Sequence, residues 1–246
     1  MHGGAVLVTG AARRIGAVIA RELQRAGASV VLHCRGSRDE ADRLAAQLNA
    51  ARAGSAAVVQ ADLLDLEALP RLVDEAARAF GRLDGLVNNA SSFHATPFGT
   101  IGAEQWNDLM GSNLRAPLFL AQAAAPHLKR ARGAIVNIVD IHSERPLKDY
   151  VVYSIAKSGL AGLTRALALE LGPEVRVNAV SPGAILWPDT GEHFDAAEKE
   201  RILDQTPLAR IGSPEDVAGA VKYLLLDAPF VSGEILAVDG GRSLHL

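Results

Sequence analysis

Seven short apolar runs constrain this 246-residue chain more than anything else in it: Ala5–Val8, Ser29–His33, Ala56–Ala61, Leu83–Asn88, Ala134–Val139, Val175–Val180 and Ile235–Val238. They lack the polar alternation of a half-exposed strand, so they read as strands buried on both faces. Between them lie amphipathic stretches such as Asp39–Ala53, Asp65–Phe80, Glu104–Arg130 and Ser154–Leu171. Strand and helix in alternation imply a parallel sheet with helices on both sides. The expectation is an α/β chain, one doubly wound, Rossmann-type domain spanning 1–246. Its length suits a single full core. Hydrophobic residues make up 49% and aromatics 4%, so that core is built from Ala, Val, Leu and Ile.

The first run leads into Thr9-Gly10-Ala11-Ala12-Arg13-Arg14-Ile15-Gly16, and helical spacing then continues to Gly27. This is strand, tight glycine turn, helix. Gly10 allows a sharp turn and close approach to a ligand, and the helix aims free N–H groups at whatever sits there. A pyrophosphate is the natural occupant. The second run ends Leu32-His33-Cys34-Arg35-Gly36-Ser37, with no acid before Asp39. A site for NAD usually places a carboxylate there for the ribose hydroxyls. Arg35 and Ser37, with Arg13, would instead receive a 2′-phosphate, so the expected cofactor is NADP(H).

Tyr153 and Lys157 sit four apart in Tyr-Ser-Ile-Ala-Lys, and Asp140 lies thirteen residues before the Tyr. Four apart on a helix places phenol and ammonium on one face. A nearby ammonium favours the phenolate, which predicts a lowered Tyr153 pKa and a group able to exchange a proton. The spacing alone also fits a solvated helix face.

The glycine turn, Asn88-Asn89-Ala90, Asn113, Tyr153/Lys157 and Ser181-Pro182-Gly183 occur in one order, and in that order the chain resembles the short-chain dehydrogenase/reductase family. Two departures are similar to its pteridine reductase branch. Arg14 replaces the middle glycine of the turn, and Asp140 replaces a serine that holds a ketone oxygen. A carboxylate suits a ring N–H better than an oxyanion. Phe93 matches the branch's stacking residue, and Val238-Asp239-Gly240-Gly241 with Ser243-Leu244 also matches.

The resemblance implies a catalytic set of Asp140, Tyr153, Lys157 and Asn113, the last ordering a relay water. It implies cofactor contacts from Gly10, Arg13, Arg14, Ile15, His33, Arg35 and Ser37. Asp62 and Leu63, Asn88 through Ser91 (Asn89 and Ala90 included), Tyr153, Lys157, Pro182 and Gly183 complete that set. Substrate contacts would come from Arg14, Ser91, Phe93, Asp140, Tyr153, Leu186 and Trp187, under a covering segment at about 184–205. The implied reaction is NADPH-dependent reduction of a dihydropterin or dihydrofolate. A reductase of ketones or 3-oxoacyl thioesters, and a non-catalytic NADP-binding subunit, are the alternatives. The resemblance also implies a homotetramer; Leu114–Leu128 and Leu160–Leu171, rich in Ala and Leu on more than one helical face, fit either subunit contacts or deeper burial against the sheet. At the chain end, Leu244 would pack into a subunit contact with His245 near a neighbour's substrate opening, the alternative being a frayed tail.

The net charge of −3, without a basic run, argues against nucleic acid as a partner. No apolar run approaches the ~18 residues of a membrane helix. Cys34 is the single cysteine, and Met1-His2-Gly3-Gly4 leads directly into the first strand, so a cytoplasmic protein is expected. The histidines show no metal-ligand spacing, and no metal is expected.

Overall fold

The computed structural model describes residues 3–187 and 195–245. Among them, seven strands form one parallel sheet in the order β3-β2-β1-β4-β5-β6-β7. The strands are β1 (Ala5–Val8), β2 (Ser29–Cys34), β3 (Ala56–Gln60), β4 (Gly85–Asn88), β5 (Ala134–Ile138), β6 (Arg176–Pro182) and β7 (Ile235–Val238). The helices are α1 (Arg14–Arg25), α2 (Arg38–Ala51), α3 (Ala68–Phe80), α4 (Ala103–Met110), α5 (Ala116–Ala131), α6 (Val151–Leu171), α7 (Ala196–Asp204) and α8 (Pro214–Lys222). Strand order reverses between β1 and β4, which opens a crevice beyond their C-terminal ends.

Two apolar layers cover the sheet. Val6 and Val8 of β1 pack with Ile19, Leu23, Leu44, Leu48, Val217 and Val221 on one face. Leu7 packs with Leu69, Leu72, Val73, Leu120 and Leu128 on the other. Adjacent residues of one strand thus enter opposite layers, as the period of two requires. Of the stretches expected in subunit contacts, Leu120, Leu128, Leu160 and Leu171 turn into the core, while Leu118 and Leu169 remain exposed.

Two helices differ from their expected form. The stretch 104–130 is not one helix, because a π-turn, Gly111–Arg115, separates α4 from α5. Pro117 follows it and has no N–H for the Asn113 carbonyl four residues back, so a regular α-helix cannot run through. Helix α6 starts at Val151 rather than Ser154, and the Val152 N–H of its first turn is taken by Thr96 Oγ at 3.2 Å. That partner lies far away in the chain and leaves no local signal.

Gly16 fixes how closely α1 seats on the turn before it. A Cβ there would stand 2.3 Å from the Gly10 carbonyl and 2.6 Å from Asn89 Nδ2. Gly16→Ala is expected to cost about 1–3 kcal/mol, as overpacking of a close contact does. A urea midpoint equal to wild type would show that α1 can shift without loss.

Candidate active site

The glycine turn is braced from three sides. Thr9 Oγ accepts the N–H groups of Asn89 (2.9 Å) and Ala90 (3.0 Å), tying the ends of β1 and β4 together. Asn89 Nδ2 donates to the Thr9 carbonyl at 2.8 Å. The Gly10 N–H donates to His33 Nδ1 at 3.2 Å, and His33 Nε2 lies 3.1 Å from the Ala61 carbonyl. These partners require the neutral tautomer with its proton on Nε2. Burial, partly offset by the Ala61 carbonyl and Asp62, lowers the His33 pKa and keeps the ring neutral. His33, expected at the cofactor, therefore acts through the turn, with both ring nitrogens engaged by backbone.

Beyond the turn lies a cleft of about 660 Å³ lined by Gly10, Arg13, Arg14, Ile15, His33, Arg35, Ser37, Asp62, Leu63, Asn89, Ala90 and Ser91. No side chain caps the N-terminus of α1 and no acid occupies its first turn. Its free N–H groups suit a pyrophosphate. Asp62 is the one carboxylate among the described lining residues, against Arg13, Arg14 and Arg35. Arg14 adopts φ +52, the left-handed region that glycine holds without strain.

A second cleft of about 580 Å³ shares Arg14, Ile15, Asn89 and Ser91 with the first, so the two are continuous. Phe93, Asp140, Tyr153, Lys157, Pro182, Gly183, Leu186 and Trp187 line it, as expected of cofactor- and substrate-binding residues. Tyr153 Oη donates to Asp140 Oδ2 at 2.8 Å, while Asp140 Oδ1 accepts the His142 N–H at 2.9 Å. Lys157 Nζ donates to the Ile138 carbonyl at 2.9 Å and stands 5.6 Å from the Tyr153 ring centroid. Phe93 stacks on Tyr150 at 4.6 Å and meets Tyr153 edge-on at 4.8 Å. Tyr150 thus covers one face of Phe93, which remains 37% exposed.

The pKa reading from sequence needs correction. Burial, then Asp140, pushes the Tyr153 phenol well above its usual range. Lys157 is itself fully buried, and desolvation, opposed by Asp140, lowers its pKa to about 8. Its nearest bonded partner is a carbonyl rather than the phenol, so proximity along the helix does not translate into a phenolate. The phenol is held as a donor to a carboxylate.

Two further expectations change. Asn88 does not line either cleft: its Nδ2 donates to Asn137 Oδ1 at 2.8 Å, inside the core. The Asn113 side chain is buried, taking a 2.6 Å bond from Ser91 Oγ and donating to the Ser92 and Leu109 carbonyls. Its amide anchors the Ser91–Phe93 segment. What remains for a relay water is its main-chain carbonyl, which Pro117 leaves without an α-helical donor.

The expected cover is described in part. Leu186, Trp187 and α7 border the second cleft, and 188–194 lie outside the described residues. Lys199 stands over the Trp187 ring at 5.5 Å. Sequence reasoning missed His142, Glu198, Arg201 and Arg242, which also line this cleft. Arg242 sits within the recognised C-terminal motif, but no spacing rule indicates that its side chain turns inward. Leu244, expected in a subunit contact, is exposed, as is His245, and Leu246 lies outside the described residues.

The family model described as enoyl-(acyl carrier protein) reductase matches residues 10–243. The chain belongs to the short-chain dehydrogenase/reductase family. It is 39% identical to pteridine reductase 1 of Leishmania tarentolae, covering 97% of this chain and 96% of that one. It is also 39% identical to a protein assigned as ketoacyl reductase 2 of granaticin polyketide synthesis in Streptomyces violaceoruber, with 97% and 95% covered. A solved structure assigned to the short-chain alcohol dehydrogenases, from Sinorhizobium meliloti 1021, superposes with a TM-score of 0.93 at 33% identity, covering 100% of this chain and 98% of that one. As a family member the chain is an oxidoreductase that uses a nicotinamide dinucleotide, and the first cleft fits that group.

The lowered Lys157 pKa carries a sign. Below pH about 8 the ammonium is charged in both folded and unfolded chains, and its burial opposes folding. Between about 8 and the ordinary value of 10.5 the unfolded chain binds more protons, so stability from this group rises with pH. Activity should run the other way if the ammonium is the working form. The kcat/KM for the nicotinamide cofactor, which reports the free enzyme, is expected to fall along an alkaline limb near pH 8. A flat profile to pH 10 would remove the charged lysine from the working state.

Proposed function

We propose that the chain is an NADPH-dependent reductase of pteridines, taking dihydropterin or dihydrofolate to the tetrahydro form. The observation that carries this reading is the Tyr153–Asp140 hydrogen bond at 2.8 Å, a phenol and a carboxylate aimed at one cleft. A carboxylate attracts a ring N–H or a protonated ring nitrogen and repels the oxyanion that forms from a ketone. The half-exposed Phe93, backed by Tyr150, suits a flat heteroaromatic ring. Overall identity is the same to the Leishmania pteridine reductase and to the Streptomyces ketoacyl reductase, so the choice rests on the site. Ketone reduction is the second reading, favoured by that ketoacyl relative.

When bound, the nicotinamide supplies the hydride. The protein positions the acceptor and handles the proton. Tyr153 gives its phenolic proton to the substrate's ring nitrogen, and Asp140 accepts a hydrogen bond from the neighbouring N–H. Lys157 spends one donor on the Ile138 carbonyl, leaving two N–H groups for ribose hydroxyls and for charge left on the phenol oxygen. Arg13, Arg35 and Ser37 would hold the 2′-phosphate that distinguishes NADPH from NADH.

Asp140→Ser removes the carboxylate and restores a hydroxyl. It should lower kcat/KM for dihydropterin by about 10- to 100-fold, the range for losing a hydrogen bond to a charged group. It should also raise turnover of a 3-oxoacyl thioester. Unchanged pterin turnover would remove Asp140 from the mechanism. For the cofactor, Arg35→Ala is expected to cut kcat/KM for NADPH by about tenfold or more while sparing NADH. A preference that survives the substitution would assign the phosphate to other residues.

A further inference from the structure

The C-terminal turn carries a buried cation, Arg242, whose Nε has no hydrogen-bond partner among the described residues. Gly241, at φ +84, starts a short turn, Arg242–Leu244, that leaves Arg242 only 6% exposed. Its guanidinium lines the second cleft, and its Nε is buried without a hydrogen-bond partner among the described residues. Three carboxylates are close enough to act on it electrostatically: Asp140, Asp239 and Glu198. Each is committed elsewhere. Asp140 accepts from Tyr153 and the His142 N–H. Asp239 accepts from the N–H groups of Gly241 (2.9 Å) and Ser243 (2.8 Å). Glu198 pairs with Arg201 at 2.9 Å.

Charges of both signs surround it. Burial first, then Arg201, lowers the Arg242 pKa against the pull of the carboxylates. Among the described residues that line this cleft, the cations are Arg14, Lys157, Arg201 and Arg242 and the carboxylates are Asp140 and Glu198. A guanidinium presents a rigid planar fork of donors that matches an oxyanion, and a buried cation is costly until paired.

We propose that Arg242 binds an anionic group of the substrate, a carboxylate or a phosphate, and that the enzyme prefers anionic members of its substrate class. This rests on the pteridine reading for the class itself. The substrate is then a dihydropterin whose side chain ends in a carboxylate, as in dihydrofolate, or in a phosphate ester.

The test compares dihydrofolate, a dihydropterin phosphate monoester and uncharged dihydrobiopterin, each with NADPH, in wild type, Arg242→Gln and Arg242→Lys. The ratio of kcat/KM for the anionic to the uncharged substrate should fall about tenfold or more in Arg242→Gln, through KM, with partial rescue in Arg242→Lys. A fall confined to one anion identifies which is bound. In wild type, KM for the anionic substrate should also rise more steeply with salt, a measurement that needs no variant. A ratio unchanged by Arg242→Gln, or no difference in salt dependence, overturns the proposal. If wild type reduces no dihydropterin, the pteridine reading has failed. Acetoacetate against its ethyl ester then applies the same ratio to Arg242.

Discussion

Thr9 holds the two halves of the sheet at the point where a ligand must enter. Its hydroxyl accepts the N–H groups of Asn89 and Ala90 and donates to the Val87 carbonyl at 3.2 Å. A sheet whose strand order reverses would otherwise splay its central strand ends, leaving their polar groups unmatched. With them stitched, Asn89 can reach back to the glycine turn, α1 can seat on Gly10, and the two clefts meet along Arg14, Ile15, Asn89 and Ser91. The side chains that line the second cleft hang from the next strand ends outward. Asp140 follows β5, and Lys157 returns from α6 to the Ile138 carbonyl at the end of the same strand. The chemistry is thus assembled on strand ends that share one edge of the sheet.

How legible this was depended on whether a residue acts locally or through a distant partner. All seven strands were readable as apolar runs: β1, β4 and β5 are buried along their whole length, β2 and β6 at all but their first residue, and the edge strands β3 and β7 are only partly covered. Asp140, Tyr153 and Lys157 were named through the family resemblance, since their spacing alone also fits a solvated helix face, and the structure brings all three to one cleft. Asn88 was misplaced for the opposite reason. It sits beside Asn89 in sequence, but in a strand neighbouring side chains point to opposite faces, so one braces the turn and the other enters the core. The π-turn, the start of α6 at Val151 and the inward path of Arg242 likewise depend on tertiary partners. The C-terminal motif was recognised in the sequence, but it indicated neither the turn Arg242–Leu244 nor the direction of the arginine.

The difference in Tyr153 is a matter of which term wins. A lysine four residues away is a Coulombic argument, and its strength depends on distance and on whether the lysine stays charged. Both groups here are buried, and burial disfavours the charged form of each: it raises the phenol and lowers the ammonium. The carboxylate of Asp140 then adds to the first effect and opposes the second. Replacing a hydroxyl by a carboxylate at 140 therefore does more than change a substrate contact. It keeps Tyr153 protonated, ready to donate, in a cleft that would otherwise favour the same state only through dryness.

Arg14 shows the same site accepting a local cost. Its φ of +52 lies where a side chain strains the backbone, at roughly 1–2 kcal/mol for a residue other than glycine. The entry to α1 is close-packed there, since a Cβ at Gly16 would stand 2.3 Å from the Gly10 carbonyl. Glycine at 14 would relieve the strain but would take the guanidinium from the border of both clefts. Strain of this kind persists where the surrounding structure enforces it, and it concentrates at sites that bind. The arginine that closes the glycine turn and the carboxylate that faces the tyrosine are thus two departures with one effect. They bring opposite charges to the lining of a single cleft, Arg14 where it meets the first cleft and Asp140 beside Tyr153.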